Sequence, residues 1–500
     1  MTIERNILCL NNSTLRSLPP AIRRPRYDRA QTQSRMVHIG AGGFNRSHLA
    51  VYLDDLLEFK DEPRWGELGI GLMPGDKQIH DALLSQDWLY GVLEMDADQA
   101  SYRIVGSLTG HLFAPESTEA VVKGMTAPEC SIISLTVTEG GYFFNDASGK
   151  FDCEDPDVRH DLEHPTTPRT WMGYVAAAAE RRRLSGLGPF TLLSCDNLQH
   201  NGAAARKALT AFTAMRSDAL TQWIETNVSF PSSMVDRITP RTTDEHLALI
   251  HDRFGIDDRS PVACEPFRQW VLEDRFISGR PAWERVGAHM TADVAPYEKT
   301  KMRLLNGGHS SLGYMGDLLG FSTIADAASD AQLQSLLIGY MKEARITVPT
   351  LPGIDLDDYT ATVVRRFSNP AIRDQVARIC SDGCAKMDKF LAPVLADLLA
   401  AGASARFASF VVASWLHYLR GADEHGRQMI LSDPMLPSLS RFIVGGCADA
   451  SLALEARPAL HEIARAYPRF SAQVQTSLDR LRTGGVRQAL EWLLKQESAG

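Results

Sequence analysis

Short apolar runs alternate with helical patterns from residue 36 to about 230, and beyond residue 290 helical periodicity stands almost alone. Strand–helix alternation calls for a parallel sheet covered by helices. Strands are expected over 36–40, 68–73, 132–138, 190–195 and 227–230, the second weakened by Gly69 and Gly71. Helices over 48–59 and 201–216 lie between them. From Tyr297 onward the pattern predicts helices over 298–316, 330–344, 372–382, 390–400, 404–419, 452–466 and 486–495. A chain of 500 residues exceeds one ordinary core. The expectation is an α/β domain over 1–290 followed by an all-α domain over 291–500.

Residues 36–48, Met-Val-His-Ile-Gly-Ala-Gly-Gly-Phe-Asn-Arg-Ser-His, read as a strand entering a glycine turn and a helix. Gly40 permits the sharp turn, and Gly42 lets a pyrophosphate approach free N–H groups at the helix start. The third position of G-x-G-x-x-G is Asn45. A lone GxG is also an ordinary structural turn; its place after the first strong strand favours dinucleotide binding and a Rossmann-type domain. The ribose-binding acid should end the second strand. Asp76, 34 residues past Gly42, is the candidate. An acid there repels a 2′-phosphate, so NAD is expected rather than NADP, although Lys77 beside it works the other way.

Residues 301–310 read Lys-Met-Arg-Leu-Leu-Asn-Gly-Gly-His-Ser. Lys301, Asn306 and His309 supply a titratable amine, a neutral amide and an imidazole, the parts needed to take a proton from an alcohol and hold its oxygen. On an ideal α-helix Asn306 falls about 140° and His309 about 80° from Lys301, with Lys299 at about 160°. Helical geometry therefore does not choose between the two lysines. Spacing alone equally allows a solvated lysine, a capping asparagine and a core histidine.

Two strand ends add to the cluster. Cys195-Asp196-Asn197 follows the run 190–194 at the carboxyl edge, where open α/β sheets bind ligands, so Asn197 is a second amide donor. Thr136–Tyr142 carries Glu139, which can be a general base or proton relay, or a turn carboxylate. A hydride acceptor together with a proton acceptor points to a dehydrogenase.

The bulk properties narrow the partners. The net charge of −9 gives no cationic field for nucleic acid or anionic membrane. Eight cysteines, none in CxxC spacing, read as thiols of a reducing compartment. The most apolar stretch, 407–419, contains His417 and is closed by Arg406 and Arg420, as in a buried core helix. No signal-peptide apolar region opens the chain, so a cytoplasmic protein is expected. No Cys/His/Glu ligand cluster is visible, and no metal is expected.

Taken together, the motifs resemble those of the polyol-specific long-chain dehydrogenase/reductase family, most of all its mannitol 2-dehydrogenase branch. The matching segments are 40–48, Thr-Val-Thr-Glu-Gly-Gly-Tyr at 136–142 and Ser-Cys-Asp-Asn-Leu-Gln-His-Asn-Gly at 194–202. Phe-Pro-Ser-Ser-Met-Val-Asp-Arg-Ile-Thr-Pro at 230–240, Glu-Pro-Phe-Arg-Gln-Trp-Val at 265–271 and the Lys301–His309 segment follow. Arg-Phe-Ser-Asn-Pro at 366–370 and Asp-Gly-Cys-Ala-Lys at 382–386 complete the series in family order.

The resemblance implies an NAD-dependent enzyme interconverting D-mannitol and D-fructose, with D-arabinitol and D-xylulose as a further pair, and a chain able to act as a monomer. It implies Lys301, rather than Lys299, as the general base. Asn197 and Asn306 would polarise the carbonyl or stabilise the alkoxide. His309 would hold a substrate hydroxyl, and Glu139 would line a proton path to solvent. Val235, Asp236, Arg378 and Lys386 match substrate-contacting positions. Gly40, Gly42, Phe44 and Arg46 belong to the cofactor turn, with Asp76 near the cofactor-selecting acid. A lysine is protonated at neutral pH unless burial and a positive cofactor ring depress its pKa of about 10.4. One departure stands out: Met387-Asp388-Lys389 replaces a stretch that carries proline in many relatives. The same family holds hexuronate reductases, for which Arg378 or Lys386 would be the carboxylate partner. A non-catalytic dinucleotide sensor is the rival from another class.

Overall fold

The computed structural model describes residues 7–495 apart from 63, 98, 146–148 and 353. The outermost residues of both expected domains, 1–6 and 496–500, lie outside the described residues. The chain divides into two compact units, Met1–Ala295 and Pro296–Gly500.

The first unit is built on a six-stranded sheet: β1 (Gln33–Ile39), β2 (Trp65–Gly71), β3 (Leu108–Phe113), β4 (Ile132–Leu135), β5 (Phe190–Ser194) and β6 (Val228–Ser229). All neighbours are parallel, in the order β3-β2-β1-β4-β5-β6. That is the doubly wound dinucleotide-binding order, whose direction reverses between β1 and β4. Helices on both faces explain why β4 and β5 are buried at every position. Helices α1 (Gly43–Ser47) and α2 (Leu49–Leu57) follow β1, while α3 (Trp171–Leu184) and α4 (Asn201–Ala214) flank β5 in sequence.

The glycines of β2, which weaken it as a strand in the sequence, are packing necessities. A Cβ on Gly69 would come within 2.9 Å of both Ala41 and His111, and one on Gly71 would press on Asp76. β3 and the antiparallel hairpin Tyr90–Asp96/Gln99–Val105 lie outside the expected strands. A smaller sheet pairs Ser233–Asp236 with Gln269–Glu273.

The second unit is mostly helical. Its core gathers α5 (Gly307–Leu318), α6 (Ala331–Arg345), α7 (Arg406–Tyr418) and α8 (Pro468–Lys495). α7 is the apolar stretch singled out above; all but its first residue are buried, as befits a core helix. The expected helix 452–466 is two, broken before Pro458, and α8 changes direction at Gly485, where φ is +73°. Among the described residues no helix is long and apolar enough to cross a membrane. All eight cysteines are thiols.

The largest departure from the expected helices lies at 298–316. A regular helix runs only over Ala295–Thr300, residues Lys301–Asn306 form a π turn, and α5 resumes at Gly307. The rotation of about 100° per residue assumed for this segment therefore does not apply there.

Candidate active site

The candidate residues divide between the two units. In the first, the turn after β1 is tied to the end of β4. Thr136 N–H donates to Ile39 O at 3.0 Å, and Thr136 Oγ1 donates to Gly40 O at 2.8 Å. Gly40 has φ +87°, and a Cβ there would collide with Thr136 O, so the fold itself demands glycine. Gly42 is different. A Cβ on it would meet only Gly40 O at 3.8 Å, which leaves open the space that a pyrophosphate would fill.

His38 braces the same junction. Since Thr136 Oγ1 gives its proton to Gly40 O, His38 Nε2 must donate to Thr136 at 2.8 Å and Nδ1 must accept from Ser134 Oγ at 2.8 Å. Burial pushes this imidazole down to about 3, so it stays neutral.

Phe44 stacks on His48 with ring centroids 5.0 Å apart, and His48 Nε2 donates to Gln269 O at 2.9 Å. Arg46 is buried: its Nη1 donates to Ser260 O at 2.5 Å and its guanidinium lies over Tyr90. It thus braces the helix carrying the turn. Asn45, at the third motif position, is buried and donates to Glu67 Oε2 of β2 at 3.3 Å. Burial raises Glu67 to about 8, with Asn45 lowering it. Asp76 lies five residues past the end of β2, where its Oδ2 accepts from Met73 N–H at 2.9 Å. Lys77 beside it is held by Asp81 and Glu116, each at 2.7 Å.

At the carboxyl edges of β4 and β5, Glu139 and Asn197 are both exposed. Asp196 between them in space is buried, and it ties the two loops together through Thr138 and Tyr142. Burial raises Asp196 to about 6, and the charge of Glu139 adds to that. Val235 and Asp236 are buried on the strand Ser233–Asp236, opposite Trp270 and Gln269. The charge of Asp236 is felt at His48 and Tyr52.

In the second unit, Lys301 is 7% exposed and Asn306 and His309 are half-buried. Gly307 N–H reaches back to Met302 O, an i→i+5 bond. The widened turn has a visible cause. Tyr340 OH donates to Arg303 O at 2.9 Å and occupies the place where a Gly307 Cβ would sit. A side chain inserted into the helical ladder beside two glycines is a recognised origin of such a bulge.

The two lysines now differ. Lys299 pairs with Asp397 at 3.2 Å, which Arg303 also holds at 2.6 Å. Asn306 Nδ2 donates to Met302 Sδ at 3.0 Å. His309 stacks on Phe367, centroids 3.9 Å apart and planes 22° from parallel. That contact gives the Arg-Phe-Ser-Asn-Pro motif a physical purpose.

Arg378 is bonded to Asp374 at 2.8 and 2.6 Å, and Lys386 Nζ donates to Ile379 O at 2.8 Å. The departure at Met387-Asp388-Lys389 opens another π turn, Met387–Leu391, which packs against the Lys301–Asn306 turn; Asp388 is paired with Arg457. Among the described residues no three His, Cys, Asp or Glu side chains gather as metal ligands do.

His38, Asp196, Tyr142, Tyr340 and Phe367 support these positions without being candidates by sequence. A histidine inside an apolar strand was the available signal for His38, and an acid next to Asn197 the signal for Asp196. Tyr340 carries none, since a tyrosine on an apolar helix face reads as core.

A doubly wound parallel sheet with a glycine turn at the end of β1, beside its switch point, is the architecture of a Rossmann-type dinucleotide-binding domain. Residues 34–285 match the mannitol dehydrogenase Rossmann domain and residues 293–482 the mannitol dehydrogenase C-terminal domain. The chain belongs to the mannitol dehydrogenase family. It is 40% identical to a mannitol dehydrogenase of Saccharomyces cerevisiae, over 99% of each chain. It is also 40% identical to a mannitol 2-dehydrogenase of Phaeosphaeria nodorum, over 97% of this chain and 85% of that one. Among solved structures, a ternary complex of Pseudomonas fluorescens mannitol 2-dehydrogenase with NAD and D-mannitol is 42% identical. It covers 98% of this chain and 100% of its own, with a TM-score of 0.87. A substrate-free D-sorbitol dehydrogenase is 36% identical with a TM-score of 0.89, over 97% of this chain and 100% of its own.

Proposed function

We propose that this protein is an NAD-dependent polyol dehydrogenase that interconverts D-mannitol and D-fructose, with D-arabinitol and D-xylulose as a second pair. The observation that carries this reading is full-length likeness, at 42% identity, to an enzyme seen with NAD and D-mannitol bound. The open space over Gly42 and the strict need for glycine at Gly40 fit a dinucleotide. Bound NAD would supply the hydride acceptor.

The chain's own residues handle the proton and the oxygen. Lys301 is the general base. In oxidation its neutral amine, on a buried side chain, takes the hydroxyl proton. In reduction the protonated amine returns that proton. Asn197 and Asn306 donate N–H bonds to the oxygen as it passes between alkoxide and carbonyl. His309, its ring set by Phe367, holds a second hydroxyl, and Glu139 passes protons to solvent. Val235, Asp236, Arg378 and Lys386 contact the polyol. Phe44 lines the cofactor turn, and Asp76 disfavours a 2′-phosphate.

Of the two cations that a hexuronate carboxylate could use, Arg378 is already compensated by Asp374. The test is a rate panel with mannitol, arabinitol, sorbitol, fructuronate and mannitol 1-phosphate, each with NAD(H) and NADP(H). Mannitol with NAD should lead. Fructuronate reduced faster than fructose, or NADP preferred, would overturn the reading.

A further inference from the structure

Outside the candidate residues, one buried polar network of the first unit centres on Asp196. Its carboxylate reaches across two loops. Oδ1 accepts from Thr138 N–H at 2.8 Å and Oδ2 accepts from Tyr142 O–H at 2.7 Å. Tyr142 OH also lies 2.5 Å from Ser194 Oγ, at the end of β5. Asp196 O accepts from Asn201 Nδ2 at 3.0 Å, and that amide also bonds to Ser233 O and N–H at 2.7 and 2.9 Å. Ser233 Oγ closes the ring onto Ser194 O at 2.7 Å.

The clasp holds a strained backbone. Thr138 has φ +64° and ψ 168°, a conformation that residues other than glycine rarely adopt. It persists because its N–H is bound to a buried carboxylate. Glu139 is the next residue after Thr138, and Asn197 is the next after Asp196. One side chain therefore sets where both candidate residues stand.

We propose that Asp196 is a positioning residue, its carboxylate clasping the loop that carries Glu139 to the loop that carries Asn197. The proposal rests on the reading of Asn197 as the donor to the reacting oxygen. Loss of the clasp lets the Asn197 amide drift, which weakens its bond to the oxygen in the transition state more than it weakens cofactor binding.

The test compares Asp196→Ala, Asp196→Asn, Tyr142→Phe and Asn197→Ala in fructose reduction, with NADH affinity followed by fluorescence. Asp196→Ala should lower kcat on the order of 100-fold with NADH affinity unchanged. Asp196→Asn should recover to within about threefold of the parent, because its Oδ1 still accepts from Thr138 while Tyr142 turns to accept from Nδ2 and donate to Ser194. Tyr142→Phe, which removes one arm, should lower kcat by roughly three- to tenfold; it carries the test if Asp196→Ala does not fold. Combining Asp196→Ala (or Tyr142→Phe) with Asn197→Ala should cost less than the product of the two single losses.

Full activity in Asp196→Ala, or in Tyr142→Phe where the alanine variant does not fold, overturns the clasp. So does an asparagine variant as impaired as the alanine one, or a loss of NADH binding in step with kcat. An unimpaired Asn197→Ala would instead remove the role of Asn197 itself, and so separates failure of that reading from failure of the clasp.

Discussion

Lys301 and Asn306 are the first and last residues of one π turn. In an α-helix, five residues would set the two side chains about 140° apart. The i→i+5 turn holds more residues per rotation than an α-helix and so narrows that angle. An amine and an amide proposed to act on one hydroxyl need a small angle between them, and the wide turn reduces it.

Tyr340 holds this turn open, so Tyr340→Phe should damage it while filling almost the same volume. Arg303 O would lose its hydroxyl donor at a buried position, a loss of about 1–3 kcal/mol. A melting temperature lower by several degrees is expected, together with a fall in kcat of roughly tenfold at unchanged NADH affinity. Parent-like kcat in a variant with the lowered melting temperature would separate Tyr340 from the alignment of Lys301 and Asn306.

The two turn glycines should fail in different ways. Gly40→Ala forces a Cβ onto Thr136 O at φ +87° and should destabilise the protein by a few kcal/mol. Gly42→Ala meets no protein atom closer than 3.8 Å, so its melting temperature should stay near the parent's. Its NADH dissociation constant should rise about tenfold or more, since the added methyl enters the space proposed for the pyrophosphate. Thermal melts and NADH titrations of the pair check both halves.

Glu67 makes the stability pH-dependent. Its folded pKa of about 8 lies above the ordinary 4.5, so the folded state binds the proton more tightly than the unfolded one. The associated stability is fully present below pH 4.5 and is lost as the pH rises toward and through 8. At about 1.4 kcal/mol per pH unit the total is on the order of a few kcal/mol. Glu67→Gln should flatten this decline, its advantage over the parent in melting temperature growing from pH 5 to pH 9. Parallel melting curves for the two proteins would contradict the assignment.

The parts of the fold carried by local pattern were legible in the chain. β1, β4 and β5 are apolar runs because both their faces are buried, and the turn at Gly40 announces itself by composition. β2 was faint because Gly69 and Gly71 answer to Ala41, His111 and Asp76, which only the folded chain brings near. β3 was hidden by Gly110 and His111 within a short run. The π turn left no trace, because its cause is Tyr340, more than thirty residues away. Helical spacing leaves Lys299 and Lys301 alike and only the resemblance prefers Lys301; the partner of Lys299, Asp397, lies nearly a hundred residues away, where no local pattern reaches.

Lys299 therefore offers a control. Its pair with Asp397 is exposed, and Lys299→Ala should cost under about 1 kcal/mol of stability and leave turnover within twofold.

Mannitol oxidation by Lys301→Ala, followed at pH 7 to 10 beside the parent and Lys299→Ala, tests the assignment of the base most directly. The parent's rate should climb with pH as the lysine loses its proton. Lys301→Ala should be slower by at least about a thousandfold, should lose that pH dependence, and should still bind NADH. Turnover within about tenfold of the parent, with the same rise in rate on going alkaline, would show that another group takes the proton.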